Sequence, residues 1–365
     1  MKCSIIFVLI FFSFYSFINA AKIDFFSNYN KALIFNHIIP RYKIFHESAN
    51  SLVKSTKNLC DKNINNNKLR LVQNYFHNAL DAWMNISHIS FGPIETNARS
   101  NRIFFWPDKH NTGVKHLNRL IIKKDKKNYH NDNFKKLSVA VQGFPALEKL
   151  LFSESEWLFY KNENAEYRCH LIQIISKNIK QISFSIFQEW TIKYKDIFVN
   201  KTLSSHSVYT GDKQFFSQFH KSLINSLQYI SNLKLGRPLG KGFNNVKPKR
   251  SESWRTQRSF RNIIINLKAL ESLFFGKNNY NLSEFILKNN DGNSKSINAI
   301  KIKLNESIKL ADSFKHPLNI EIQDKVKYMK IKKLKNNLDD LIEIINYVFI
   351  KSLNISHGFN AFDGD

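Results

Sequence analysis

One carboxylate in this sequence stands out because of the residues around it. In the segment AVQGFPALEKLLF, Ala140 to Phe152, apolar side chains recur at helical spacing, and Glu148 borders that apolar stripe. A carboxylate in such surroundings needs a cation, an arginine or a hydrogen-bond donor from another segment. It could then balance a buried arginine, act as a base on a water molecule, or supply one ligand of a metal site. Each of these roles depends on partner groups elsewhere in the chain.

Gly143 and Pro145 lie inside the same apolar pattern, although both disfavour a regular helix. Proline has no N–H, and its ring clashes with the carbonyl group four residues earlier, here that of Val141. An interior proline costs a helix about 3 kcal/mol and an interior glycine about 1 kcal/mol. We therefore predict a helix over Phe134 to Phe152 that is kinked at this point, where a glycine also permits close approach of another segment.

Two long loops rich in glycine and proline are candidates for supplying the partner groups. The first runs from Phe91 to Gly113 and contains Trp106 and Asp108, and the second runs from Leu235 to Trp254. Loops of this length in compact proteins tend to be functional. Their tryptophans either recognise a ligand or pin the loop to the core, and the second role is the commoner one.

Arginines in and after these loops are the expected partners of Glu148. We predict that the carboxylate is paired, with one of Arg99, Arg102, Arg255 and Arg258. If the pair is structural, it fits two parts of the molecule together. If it is functional, the same groups line a binding cleft.

The elements that position these residues are helices almost throughout. Apolar residues recur with helical periodicity over long segments, such as Lys68 to Ser90 and Ser259 to Phe275, and no alternating run demands a sheet. Each half of the chain has several long helices and one long loop. The sequence thus predicts an all-α protein of two packed helical bundles, residues 21–205 and 206–365, with an internal duplication as an open alternative.

The N-terminus predicts export. Lys2 precedes an apolar run from Ile5, and Ile18-Asn19-Ala20 fits a signal-peptidase site, so residues 1–20 are predicted to be a signal peptide. Cys3 lies before the apolar run, so we expect no lipidation and a mature chain that starts at Ala21 or Lys22. No later run is long enough to span a bilayer. The predicted location is periplasmic or secreted.

Cys60 and Cys169 are the only cysteines of the predicted mature chain, and in an oxidising compartment we expect them to form a disulfide. The formal net charge of the full chain is +26. Such a charge suits an anionic partner, but a composition rich in Lys, Asn, Ile and Phe also fits codon bias. Export argues against nucleic acid as that partner.

Three segments resemble the imelysin-like family of bacterial envelope proteins. GFPALEKLLF resembles the family's Gly-x-His-x-x-Glu helix, with Gly143 and Glu148 at its ends and Pro145 where the family has histidine. FGPIE with FWPD in the first loop, and KRSESWRTQRSFRNI from Lys249, also resemble the family and occur in the expected order. The resemblance implies two helical bundles, a link to iron uptake and a peptidase label.

The residues themselves give little support to the peptidase label. The chain has no HExxH zinc motif and no GxSxG nucleophile motif, and one glutamate alone cannot hold a catalytic metal. We therefore predict a binding or accessory component of iron uptake, with an unidentified envelope partner. A metal-dependent envelope peptidase is the alternative, and a structural protein bound to anionic surface polymers is a third. The cofactor stays open, with iron or another divalent metal as candidates and Glu148 as a metal ligand. The predicted cleft for a metal or an anionic iron chelate consists of Gly143, Pro145, Glu148, Arg102, Trp106, Asp108, Trp254, Arg255 and Arg258.

Overall fold

The structure is a computed structural model that describes residues 26–61, 64–160, 162–194, 209, 211–276, 281–289 and 293–355. These residues form helices and connecting loops and contain no strand, which confirms the all-α prediction. The predicted signal peptide and its cleavage site lie outside the described residues. The predicted boundary near residue 205 does too, so both remain predictions.

The helices that build the molecule are labelled here in chain order. They are α1 (Ile39–Leu59), α2 (Asn66–Ile86), α3 (Arg99–Ile103), α4 (Thr112–Lys123), α5 (Phe144–Glu148), α6 (Glu163–Glu189), α7 (Asp212–Gln228), α8 (Ser259–Phe275), α9 (Leu282–Asn289), α10 (Ser294–Asp312) and α11 (Lys325–Leu353). None of the described helices is both long enough and apolar enough to cross a bilayer.

The first bundle is built around α1, which packs against both α2 and α6. Helix α2 begins where the side chain of Asn65 accepts a hydrogen bond from the Lys68 N–H, an N-cap that its sequence favours. Leu69, Val72 and Phe76 then follow at intervals of three and four residues and are buried, because that spacing places them on one face.

The second bundle packs α8 and α11 on either side of α10. Its longest helix, α11, is N-capped by Asp324, whose side chain accepts a hydrogen bond from the Lys327 N–H. The bundles meet where α2 packs against α8, and buried residues of both belong to one continuous hydrophobic cluster. Asp81 of α2 also forms ion pairs with Arg258, the N-cap residue of α8, and with Arg261 of α8, so charged groups hold the same junction.

A disulfide links two helices of the first bundle, as the sequence predicts. Cys60 at the end of α1 bonds to Cys169 in α6, with the two Cα atoms 5.6 Å apart. The bond closes a stretch of chain that includes α2 to α5 and the whole first long loop.

The predicted helix over Phe134 to Phe152 is wrong, because the chain breaks at Gly143 instead of kinking there. Val139–Val141 is a single 3₁₀ turn, Gly143 is extended, and α5 begins afresh at Phe144. Pro145 lies in the first turn of α5, where backbone N–H groups have no helical partner and proline costs little. The helix continues past Glu148 as a π-helical turn over Lys149–Ser153.

Candidate functional site

The first long loop is held against the second bundle at Trp106. The Tyr229 hydroxyl donates a hydrogen bond of 2.7 Å to the Trp106 carbonyl oxygen, and the two rings meet edge to face at 5.7 Å. Asp108 then ends the loop, because its two carboxylate oxygens accept hydrogen bonds from the N–H groups of Thr112 and Gly113 at 2.8 Å. Asp108 thus starts α4, and Trp106 links the loop to the opposite bundle.

Gly143 and Arg102 set the position of the short helix that carries Glu148. A Cβ atom on Gly143 would lie 2.1 Å from the carbonyl oxygen of Ile103, so only glycine allows α3 to come this close. Arg102 strengthens the contact, since it donates hydrogen bonds to the side chains of Gln142 at 2.7 Å and Asn178 at 2.9 Å. Both residues are therefore part of the support of the site and not of its surface.

Glu148 is paired, as predicted, but its partner is not an arginine. Its Oε1 accepts hydrogen bonds from the Thr256 backbone N–H at 3.1 Å and from the Thr256 hydroxyl at 2.8 Å. The candidate arginines have other contacts: Arg99 pairs with Glu189, and Arg258 pairs with Asp81. The segment after the second loop therefore reaches the carboxylate through a threonine, and the arginine prediction is wrong.

Burial raises the pKa of the Glu148 carboxyl above its ordinary value, because the side chain is almost completely enclosed. The Thr256 hydrogen bonds and the charge of Arg255 oppose this and lower the pKa, whereas the charge of Glu252 adds to the rise. The effect of burial is the largest of these, so the pKa of Glu148 is raised overall. The carboxylate is thus a costly charge held in place by two neutral donors.

Replacing Glu148 with glutamine should remove a pH-dependent cost. A carboxyl whose pKa is higher in the folded chain than in the unfolded chain loses stability as pH rises from its unfolded value of 4.5 through the folded value. Glutamine keeps an oxygen for Thr256 and carries no charge. We therefore expect the unfolding free energy of Glu148→Gln, measured relative to wild type in urea, to be higher at pH 8 than at pH 4. The control is Glu47→Gln, an exposed carboxylate. A stability difference for Glu148→Gln that is the same at both pH values would contradict the expectation.

Around Glu148 the two long loops and α5 enclose a cavity of about 360 Å³. We call it the basic cleft. Six of the nine predicted cleft residues line it: Trp106, Asp108, Pro145, Glu148, Trp254 and Arg255. Gly143, Arg102 and Arg258 do not, and they act instead in the support and in the bundle junction. The cleft has the size range of small-molecule sites.

Cations outnumber carboxylates among the charged residues that line the basic cleft. Besides Arg255, they are Lys109, Lys149, Arg237, Lys249 and Arg250, against the two carboxylates Asp108 and Glu148. Both carboxylates already accept hydrogen bonds from the protein, as described above. The cleft therefore presents an excess of positive charge to anything that enters it.

The sequence contained a signal for some of these cations. Arg237, Lys249 and Arg250 all belong to the second long loop, whose basic character is visible in its sequence. Thr256 had no comparable signal, because a threonine that caps a distant carboxylate looks like any other threonine.

The lining of the basic cleft does not form a ligand set for a bare metal ion. In the part of the chain that the structure describes, no three side chains of His, Cys, Asp or Glu come together as a metal site. Pro145, one turn before Glu148, has no ligating atom, and Glu148 Oε1 is bonded to Thr256. A direct coordination role for Glu148 is therefore not supported by its surroundings.

The class that the fold defines is an all-α protein of two packed helical bundles, here with a cleft lined by its two long loops. The sequence profile of the imelysin family, peptidase family M75, matches residues 38–345. The chain is a member of the imelysin family.

The solved structures that share this fold include the following two. An imelysin-like protein from Psychrobacter arcticum 273-4 superposes with a TM-score of 0.75 at 18% identity, over 92% of this chain and 98% of that one. An iron-regulated protein A precursor from Parabacteroides distasonis ATCC 8503 superposes with a TM-score of 0.73 at 13% identity, over 90% and 95%. A search of curated protein sequences gives no significant match. At these identities the structures establish the fold alone.

Proposed function

We propose that this protein is an exported component of iron uptake that binds an anionic iron chelate in the basic cleft. In this proposal iron is cargo, held by its chelator, and the protein recognises the negative charge of the complex. The proposal rests on one observation, the excess of cationic side chains that line the cleft. Membership of the imelysin family and the fold shared with an iron-regulated protein support the iron link.

Four of the lining cations are available to a ligand. Within the described residues, none of Arg237, Lys249, Arg250 and Arg255 makes an ion pair with a carboxylate. Lys149 differs from them, because it is bonded to Asn118 and pairs with Glu154. Guanidinium and ammonium groups that make no ion pair favour carboxylates or other oxyanions as ligands.

Of the four cations, Arg237 has the clearest need for an anionic partner. Its Nη1 atom is buried and has no hydrogen-bond partner among the described residues. Burial lowers the pKa of this guanidinium, and the nearby charge of Arg250 lowers it further. An anionic ligand would offset both costs, since it supplies an acceptor and a negative charge together.

Arg255 and Trp254 also line the cleft and contact each other. The Arg255 guanidinium lies 4.6 Å from the centre of the Trp254 ring, a cation–π contact that orders the side chain without neutralising it. An ordered cation loses less conformational entropy when it binds an anion than a mobile one does. This pair is the reason that we expect Arg255 to contribute strongly.

Removal of Arg255 or Arg250 should weaken chelate binding. Hydrogen bonds to charged groups contribute about 1.5–3 kcal/mol, so Arg255→Ala and Arg250→Ala should each raise the dissociation constant by about 10- to 100-fold. Isothermal titration with iron(III) citrate measures this, and added salt should weaken the wild-type interaction. The matched control is Arg70→Ala, because Arg70 is exposed on α2 and does not line the cleft.

Two results would oppose the proposal. The first is a wild-type protein that gives no saturable heat with iron(III) citrate. The second is an equal loss of binding in Arg70→Ala. Titration with iron-free citrate separates recognition of the anion from recognition of the complete chelate.

The peptidase alternative predicts a different result. It requires turnover of an unfolded protein substrate that Glu148→Gln abolishes, whereas the binding proposal predicts no dependence of any proteolysis on Glu148. Periplasmic or secreted location remains part of the proposal, supported by the disulfide and by the predicted signal peptide.

A further inference from the structure

A second cavity, of about 260 Å³, is lined by residues of the first long loop and of helices from both bundles. We propose that it binds a neutral polyhydroxylated ligand, a single sugar ring. It shares only Phe104 and Trp106 with the basic cleft. We call it the serine–asparagine cavity, after the side chains that line it most densely: Ser87, Ser90, Ser100, Ser222, Ser226, Asn101, Asn225 and Asn266.

The serine–asparagine cavity has no net charge, in a chain whose formal charge is +26. Its charged lining residues are Lys234 and Glu252, which pair with each other at 2.8 Å and are both buried. Lys234 also donates a hydrogen bond of 2.7 Å to the side chain of Asn266. The contrast with the basic cleft indicates a neutral ligand, because neither an anion nor a cation would find an uncompensated opposite charge here.

One acceptor on the lining is unused. Glu252 Oε2 pairs with Lys234 and accepts a hydrogen bond from Asn262, whereas its Oε1 is buried and accepts none from the described residues. A buried carboxylate oxygen without a donor is costly. A ligand hydroxyl group can supply that donor without adding charge.

The remaining polar groups could serve both roles that hydroxyl groups need. Serine hydroxyls and asparagine amides each donate and accept hydrogen bonds. Among the residues that the structure describes, the side chains of Ser100, Asn101, Asn225 and Ser226 make no hydrogen bond to the protein. A ring with several hydroxyl groups matches this mixture better than a ligand that only donates or only accepts.

Aromatic side chains provide the apolar part of the cavity. Trp83, Phe104, Trp106 and Tyr229 all line it. A sugar ring has C–H faces that pack on aromatic rings and hydroxyl edges that need polar partners, and the lining offers both. The volume lies just below the roughly 300–1,000 Å³ of drug-sized ligand sites, which favours one ring over an oligomer.

The cavity is open at one end. Ser90, Ser100 and Asn101 are exposed, while Trp83, Lys234 and Glu252 are buried. A ligand can therefore enter past α3 and reach the ion pair at the inner end. The inference does not rest on the chelate proposal, since the lining that carries it is different.

The test uses D-glucose, D-galactose and N-acetyl-D-glucosamine as probes. Their binding is measured by isothermal titration and by tryptophan fluorescence. We expect at least one of them to bind wild-type protein saturably, with a dissociation constant of about 1 mM or lower. Asn225→Leu and Ser100→Leu place an apolar side chain in the cavity and should weaken binding at least about tenfold. Arg255→Ala, in the basic cleft, should leave sugar binding unchanged.

Asn232→Leu is the matched control for Asn225→Leu, because Asn232 is exposed and does not line the cavity. Thermal melts check that each variant is folded, and Ser100 is exposed enough for its replacement to be tolerated. The proposal is overturned if none of the three sugars binds saturably. It is also overturned if folded Asn225→Leu and Ser100→Leu bind as well as wild type. If Arg255→Ala loses chelate binding but binds sugar normally, the two cavities bind their ligands independently.

Discussion

Gly143→Ala is expected to destabilise the protein by about 3 kcal/mol or more, at or above the upper end of the cost of overpacking a core. The added Cβ atom would lie 2.1 Å from the carbonyl oxygen of Ile103 and 2.6 Å from that of Arg102. Both obstacles are backbone atoms, so no side chain can rotate away to relieve the contact. Either α3 or α5 must move, and with it the loop that carries Trp106 or the carboxylate of Glu148.

Urea unfolding of Gly143→Ala measures this cost, with Gly242→Ala as the control. Gly242 has an extended backbone that any residue adopts, and a Cβ atom there would meet nothing within 4 Å. We expect a change within about 0.5 kcal/mol for the control, as for an ordinary surface position. If Gly143→Ala unfolds at the same urea concentration as Gly242→Ala, the close approach of α3 to Gly143 is not what the structure indicates.

The helix break at Gly143 shows why helical periodicity predicted the wrong helix in this segment. Apolar residues continue at helical spacing on both sides of it, so the periodicity predicts one helix from Phe134 to Phe152. A proline inside a helix and a proline in the first turn look the same in such a pattern. What decides between them is the contact of Gly143 with Ile103, forty residues earlier in the chain. Periodicity over one segment contains no information about that contact.

The partner of Glu148 was also decided by distant residues. Each candidate arginine had a plausible position, but Asp81 engages Arg258 and Glu189 engages Arg99 from other helices. Arg102 likewise finds its acceptors in Gln142 and Asn178. The sequence could predict that Glu148 needs a donor, since burial follows from its apolar stripe. It could not rank the donors, because that ranking depends on how α2, α6 and α8 pack.

By contrast, the features that depend on short segments were predictable. The helix Ser259–Phe275 has the predicted limits, and the all-α class follows from periodicity alone. The disulfide could be predicted because Cys60 and Cys169 are the only two cysteines of the predicted mature chain. Six of the nine residues predicted for a cleft line one cavity, because the two long loops come together around α5.

Lys234→Met is expected to cost about 3–5 kcal/mol, the usual loss when one member of a buried ion pair is removed. Glu252 would then remain buried at 1% exposure, without the ammonium group that lies 2.8 Å from its Oε2. The loss should weaken the junction of the bundles as well, because Lys234 also donates to Asn266, and Asn266 donates a hydrogen bond of 2.6 Å to the Met84 carbonyl oxygen of α2.

The double variant Lys234→Met with Glu252→Gln separates the two contributions to this cost. Glutamine removes the stranded charge and keeps an acceptor for Asn262, so the double variant should recover much of the stability lost by Lys234→Met. The matched control is Lys303→Met, which removes one member of the partly exposed Lys303–Asp340 pair at 2.7 Å. A pair of that kind contributes about 0–1 kcal/mol.

Chemical unfolding of the four proteins at neutral pH gives the comparison. If Lys234→Met costs no more than Lys303→Met, then Glu252 is neutralised in some other way, and the charge balance assigned to the serine–asparagine cavity is wrong. If the double variant is as unstable as the single one, the loss comes from packing and from the Asn266 contact, and not from an uncompensated carboxylate. If Lys234→Met is destabilised and the double variant regains stability, the uncompensated charge of Glu252 is the cause of the loss. The inner end of the cavity then needs a lysine because Glu252 is charged and buried there.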